Sequence, residues 1–318
     1  MIGVISYLIF FVTVASILSI AVLGLNLQWG NTGLFNGGVA AFIGAGAYGL
    51  VILGGTAQPD HLGGYGLFYP LALLGGMIVA GILAWLVGIL TMRLRHDYLA
   101  IATFGVAVAF ENFMRNSDKI SGGAKGIRGF ERPFEAFIGD PFYFSIGFFI
   151  FAMTMLVLVY IFLEKLIRSP FGRLLRAIRE DETAAQSLGK NPGSIRLKAF
   201  VAGSMIMGLA GGLYATFYAF ISPQDILPTL TFQIWAMLIV GGAGNNKGAI
   251  AGAFLIWGVW TLSGWGLSRF APLEAQLYAG TIQYILIGVI IVGMLLWRPQ
   301  GLFPEKLVVS QTGDRAQS

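Results

Sequence analysis

The chain has 318 residues, 56% of them apolar and only 11% charged, whereas a soluble domain carries about 25% charged residues. That supply cannot coat a soluble surface, so 1–318 reads as a single membrane domain rather than as two soluble ones. Cysteine is absent, which excludes a disulfide framework, a thiolate nucleophile and Cys-based metal or redox chemistry. The formal net charge of +5 falls in short segments between apolar runs, a pattern that speaks for lipid contact and orientation and against nucleic acid.

Met1 to Leu27 carries no charge, exceeds the length of a signal-peptide apolar core and lacks a basic leader, so it reads as an uncleaved first membrane segment. A hydrocarbon core of ~30 Å takes about 20 apolar residues, which makes long uncharged intervals the marks of spans. Residues 1–59 hold two segments, split by the run Asn26-Leu27-Gln28-Trp29-Gly30-Asn31-Thr32-Gly33. The intervals 62–92, 141–163, 199–224, 226–246, 248–268 and 275–297 hold one each. Tyr98 to Phe110 is shorter and counts as a further span, with Glu111 and Arg115 placed four apart to pair at its end. The expected fold is all-α, a polytopic transmembrane helical bundle of about eight or nine segments, some of them short or broken.

Glycine is abundant at 45 residues. Gly208 with Gly212 and Gly248 with Gly252 have the small-xxx-small spacing of closely packed membrane helices. The stretches Gly30 to Gly49 and Gly241 to Gly252 border or interrupt apolar segments with Asn and Gly. Broken helices at membrane depth are tolerated where they line a cavity, and ordinary tight turns are the competing reading. On the broken-helix reading a solute pathway is lined by Asn26, Asn36, Gly44, Gly242 and Gly244, with Gln233 from inside a later span. Gln233 and Gln283 are also accounted for by interhelical hydrogen bonds worth about 0.6–2 kcal/mol.

Two hydrophilic segments stand apart. Residues 111–140 are glycine-rich with mixed charge and read as a loop. Residues 164–198 carry eight Lys or Arg against four acids, a net of +4, which the positive-inside rule places in the cytoplasm. Four spans later the tail 306–318 falls on the same side, and counting backwards puts 111–140 outside. Within the basic segment Ser169 to Gly172 is a turn, and Arg173 to Leu188 reads as one amphipathic helix stopped by Gly189 and Pro192. Small Ala177, Ala184 and Ala185 beside Arg173, Arg176 and Arg179 suit a groove on a partner protein.

Here a resemblance enters. Thr183-Ala184-Ala185-Gln186-Ser187-Leu188-Gly189 has the spacing of the EAA loop by which importer permeases dock on their ATPase, with Thr183 in place of its Glu. The surrounding run from Gly172 through Glu182 to Phe200 resembles the permeases of the branched-chain amino acid (LIV-type) importers, the LivH/LivM family. So do Gly24-Leu25-Asn26-Leu27 with Gly33 to Gly49, Tyr98 to Thr103, Gly122 to Ile127, Gly208 to Leu213, Gly241 to Gly244 and Arg298 to Phe303, in the family's order and over nearly the whole chain. The resemblance implies a multi-pass permease of the bacterial inner membrane for branched-chain or other neutral amino acids, with urea and short amides as related solutes. It also implies a second, related permease, two cytoplasmic ATP-binding subunits, and a periplasmic or extracellular solute-binding protein. Gly172, Arg173, Arg176, Arg179, Ala184, Ala185 and Gly189 become the residues expected to couple to the ATPase.

Other chemistries fit less well. Gly241 to Gly248 departs from a phosphate-binding loop at Asn246, where glycine is required, and at Gly248, where a hydroxyl is required, so a tight turn is the better reading. His61 and His96 have no metal-binding neighbours in sequence, no acid, base and nucleophile cluster, and no cofactor is expected. An ion-gradient-driven transporter would place carboxylates in mid-span, and the long uncharged intervals hold none.

Overall fold

The computed structural model describes residues 2–56, 62–92, 96–128, 130, 132–133 and 141–305. Its helices are, in order, α1 (Ile2–Thr32), α2 (Val39–Gly54), α3 (Tyr69–Thr91), α4 (His96–Asn116), α5 (Asp118–Ser121), α6 (Pro141–Arg168), α7 (Pro170–Glu180), α8 (Glu182–Ser187), α9 (Pro192–Tyr218), α10 (Pro228–Gly241), α11 (Asn246–Phe270), α12 (Leu273–Gln276) and α13 (Ala279–Trp297). Six of them, α1, α3, α6, α9, α11 and α13, are long and apolar enough to cross a membrane, and α2 and α10 are shorter apolar helices between them. Nine elements thus match the expected spans once α4 is included, whose 21 residues reach about 31 Å at 1.5 Å per residue. The molecule is a polytopic helical membrane protein.

Local chemistry sets the helix starts. Proline opens α7, α9 and α10 at the position where a missing N–H costs nothing. Asn191 and Asn245 cap α9 and α11 through side-chain oxygens that accept backbone N–H groups. The run once compared with a phosphate loop is therefore a capped turn.

At the centre α1 and α9 pack along each other and are buried on most sides. Glycine makes their approach possible: a Cβ on Gly24 would lie 2.6 Å from the Gly203 carbonyl oxygen, and one on Gly203 equally close to that of Gly24. Gly208 meets Gly46 and Ala80 in the same way, and Gly248 and Gly252 both press on Gly241, so the predicted small-residue faces are contact faces. Leu74, Ile82 and Leu90 on α3 and Ile285, Val289 and Leu296 on α13 point outward, an apolar surface suited to lipid.

The bundle has two ends. One holds a short antiparallel pair, Ile127 with Ile221 and Arg128 with Phe220, which joins the loops after α5 and α9. The other, the basic end, gathers the end of α1, α7 and α8, the turn before α11 and the segment after α13. Hydrogen bonds from Leu302 N to Val240 O and from Phe303 N to Gly241 O fasten that last segment.

The expected single helix from Arg173 to Leu188 is two helices. Asp181 turns to extended backbone (φ −150°, ψ 104°), and its carboxylate accepts the Ala184 N–H at 2.9 Å, so it ends α7 and caps α8. His61 and the tail 306–318 lie outside the described residues, as does most of 129–140, and of His96 only the backbone is described.

Candidate functional site

Each Gly-rich stretch holds a connection between two apolar helices, and the two connections meet at the basic end. α1 ends at Thr32 and α2 begins at Val39, with Gly33 in the left-handed region at φ 68°. α10 ends at Gly241 and α11 begins at Asn246. Between them runs a buried amide network. Asn26 Nδ2 donates to Asn246 Oδ1 at 2.9 Å, and Asn26 Oδ1 accepts the Gly244 N–H at 2.8 Å. Asn246 Nδ2 passes on to Glu164 at 3.2 Å. Gln28 donates to the Phe200 carbonyl at 2.7 Å and accepts from Asn36 Nδ2 at 2.8 Å.

Asn36 also organises the start of α2. Its side-chain oxygen accepts the Gly38 N–H at 2.7 Å, and its carbonyl accepts the Trp235 indole N–H at 2.8 Å. Thr103 and Thr231 hydroxyls accept the N–H groups of Gly37 and Ala40. Buried helix ends must find such partners, because no water reaches their free N–H groups.

The basic loop grips this network. Ser169 caps α7, a strongly amphipathic helix that buries Gly172, Leu175 and Ile178. Arg179 donates to the Gly30 carbonyl and, through Nη2, to both Glu305 oxygens at 3.1 and 2.8 Å. It thus ties α7 to the break after α1 and to the segment after α13. Glu182 on α8 pairs with Arg196 on α9 at 2.6 Å.

The expected coupling residues divide by exposure. Arg173, Ala177 and Ala184 are exposed and Arg176 is half-buried, while Arg179 faces its own chain. Ala185, expected on the partner-facing side, is 5% exposed and packs inward. Ala185 follows buried Ile178 by seven residues, close to two helical turns, and so shares the inward side of the segment. Gly189 ends α8 at φ 74°, a conformation that glycine adopts freely.

The expected pathway residues also divide. Asn26 and Asn36 are fully buried in the amide network. Gly242 and Gly244, at φ 107° and 84°, form the second break, against Phe303 and Glu305. Gly44 lies where Ile226 and Phe110 cross α2. Only Gln233 of this set lines either of the two cavities described here. Gln283, by contrast, makes the interhelical bond expected of it, to Trp260 O at 2.8 Å, and Arg115 Nε pairs with Glu111 at 2.7 Å.

The larger cavity, about 700 Å³, is an apolar groove between α4, α10 and α13, with Phe35 stacked on Trp235 at 4.2 Å in its wall. The smaller, about 280 Å³, lies among α1, α9, α10, α11 and α13 toward the end opposite the basic loop and includes Gln233 and Asp225. Sequence reasoning missed Asn246, Glu305 and Asp225. Asp225 figured only as a charge that ended an uncharged interval, and Glu305 gave no local sign of its partner 126 residues away.

Comparison with known proteins agrees with this architecture. Residues 7–295 match the family model described as branched-chain amino acid transport system / permease component. The high-affinity branched-chain amino acid transport system permease protein LivM of Escherichia coli K12 is 31% identical over 313 residues, covering 92% of this chain and 69% of its own length. A probable LivM of Methanocaldococcus jannaschii is 31% identical over 248 residues, 75% of this chain and 70% of the relative. The autoinducer 2 import system permease protein LsrC of Yersinia pestis is 30% identical over 190 residues, 58% of this chain and 51% of the relative. With its helical bundle, its two linked breaks and this coverage, the chain belongs to the family of branched-chain amino acid transport system permease components.

Proposed function

We propose that the chain is one of two related permease subunits of an ATP-driven importer in the bacterial inner membrane, moving branched-chain or other neutral amino acids by alternating access. Residues 164–198 face the cytoplasm, where two ATP-binding subunits grip the exposed side of α7 and α8, and a solute-binding protein delivers from the opposite side. Hydrolysis belongs to those other subunits, and this chain is not an enzyme.

One observation carries the reading. Arg179 joins the basic loop to the Gly30 carbonyl, next to the amide network that holds both helix breaks. A push on α7 therefore reaches both interrupted helices through hydrogen bonds instead of through a flexible linker. Exposed Arg173 and half-buried Arg176 are left to meet acidic or carbonyl groups on the ATPase, while Arg179 transmits the motion inward.

The test is uptake of labelled leucine by vesicles containing the chain with its permease partner, both ATPase subunits and the binding protein. Uptake should require ATP, with urea and short amides as competing solutes in the same assay. Reversing charge in the double variant Arg173→Glu/Arg176→Glu should lower uptake at least tenfold while the chain stays folded. Normal uptake by that variant would remove the coupling assignment, and uptake by vesicles lacking the ATPase subunits would point to an ion gradient.

A further inference from the structure

The smaller cavity differs from the amide network in one chemical respect: its polar groups are only partly partnered. Asp225 Oδ2 accepts from Ser222 N at 2.8 Å and Ser222 Oγ at 2.6 Å, while Oδ1 has only the Tyr214 hydroxyl at 3.4 Å, a marginal distance. No Lys or Arg pairs with Asp225 among the described residues. A carboxylate inside a membrane bundle without a cation is a binding group in waiting. Trp260 and Tyr284 bring aromatic rings into the same cavity, surfaces that attract an organic cation.

A complementary set stands beside the acid. Thr229 and Gln233 line the cavity, and among the described residues neither side chain has a hydrogen-bond partner. They belong to the first turns of α10, a 14-residue helix whose N-terminal end favours an anion. Ile17, Leu18 and Leu230 supply aliphatic wall. The volume of about 280 Å³ is close to the ~300 Å³ lower bound of small-molecule sites.

We propose that this cavity binds one neutral aliphatic α-amino acid, its ammonium group on Asp225 Oδ1, its carboxylate at the start of α10 beside Thr229 and Gln233, and its side chain against the aliphatic wall. The inference rests on the permease reading only for the class of solute. It places a site inside a single chain, away from the larger groove.

The test is equilibrium binding to the full chain in nanodiscs of phosphatidylglycerol, read as tryptophan fluorescence during titration with L-leucine. A saturable change is expected. In the unaltered protein 4-methylpentanoate, which lacks the ammonium, and 3-methylbutylamine, which lacks the carboxylate, should bind at least tenfold more weakly. Asp225→Asn and Gln233→Leu should each weaken leucine at least tenfold. Because the two analogues need no variant, the result stands even if Asp225→Asn fails to fold.

Three outcomes overturn the proposal: no saturable change, equal binding of leucine and 4-methylpentanoate, or a signal produced by phosphatidylethanolamine in the nanodisc and not by leucine. Lost binding with ATP-driven uptake intact removes this site and leaves the permease reading. Intact binding without ATP-driven uptake does the reverse.

Discussion

Two polar regions lie inside this bundle, and they are built on opposite terms. At the basic end, both polar atoms of each amide of Asn26, Gln28, Asn36 and Asn246 have partners, which holds the two helix connections together, and Asn31 Oδ1 beside them is buried without one. At the other end, Thr229 and Gln233 face a cavity with no hydrogen-bond partner among the described residues, and Asp225 keeps one oxygen nearly free. A closed set of buried hydrogen bonds makes a joint, whereas polar groups open to a cavity are free to meet a ligand. Residue type does not separate the two cases, since amides populate both.

The comparison breaks most sharply at Gly30. A Cβ there would meet Asn26 Oδ1 and stand 2.9 Å from Gly244 Cα, so the 242–245 turn has to move. Gly30→Leu should cost about 3 kcal/mol or more, the upper end of overpacking, because backbone and not a side-chain tip has to move. The measurement is the thermal unfolding midpoint in detergent, and an unchanged midpoint would show that the two breaks are not in firm contact. Asn26→Leu tests the same contact from its hydrogen bonds. It leaves the Gly244 N–H and Asn246 Oδ1 unpaired, at about 1–3 kcal/mol for each orphaned group. Its midpoint should fall clearly, since the two groups together cost about 2–6 kcal/mol.

Much of this was legible in the chain. Uncharged intervals gave the spans because lipid-facing helices exclude charge over their whole length, and the Gly and Asn runs gave both breaks because each residue favours a helix end. The amide network was half legible: Asn26 and Asn36 stood out, but that Asn26 meets Asn246 across 220 residues is a property of packing. The helical run 173–188 misled because its apolar spacing continues across Asp181. The readable sign there was Asp181 itself, a side chain that caps the following helix as readily as it decorates a surface. Gln233 was seen and given two roles, interhelical bond or cavity lining. It lines the smaller cavity, and nothing in the apolar run around it signals that place. Asp225 was hidden by its position at the edge of an interval, where a charge normally marks only the membrane boundary.

The smallest expected effect on stability is the most discriminating. Gln233→Leu removes no hydrogen bond that the described residues make and adds an apolar side chain to a wall that already contains Leu230 and Ile17. Its unfolding midpoint should match that of the unaltered protein, within the ~0.5 kcal/mol scatter of neutral substitutions, while Asn26→Leu, also an amide-to-leucine change in the bundle, falls. Measured side by side, the pair separates position from chemistry. If Gln233→Leu destabilised as much as Asn26→Leu, the cavity amide would be holding helices together, and the division between joint and receptor would fail. If it left stability unchanged but abolished leucine binding, the same substitution would show that the polar groups around the cavity are kept for a ligand and not for the fold.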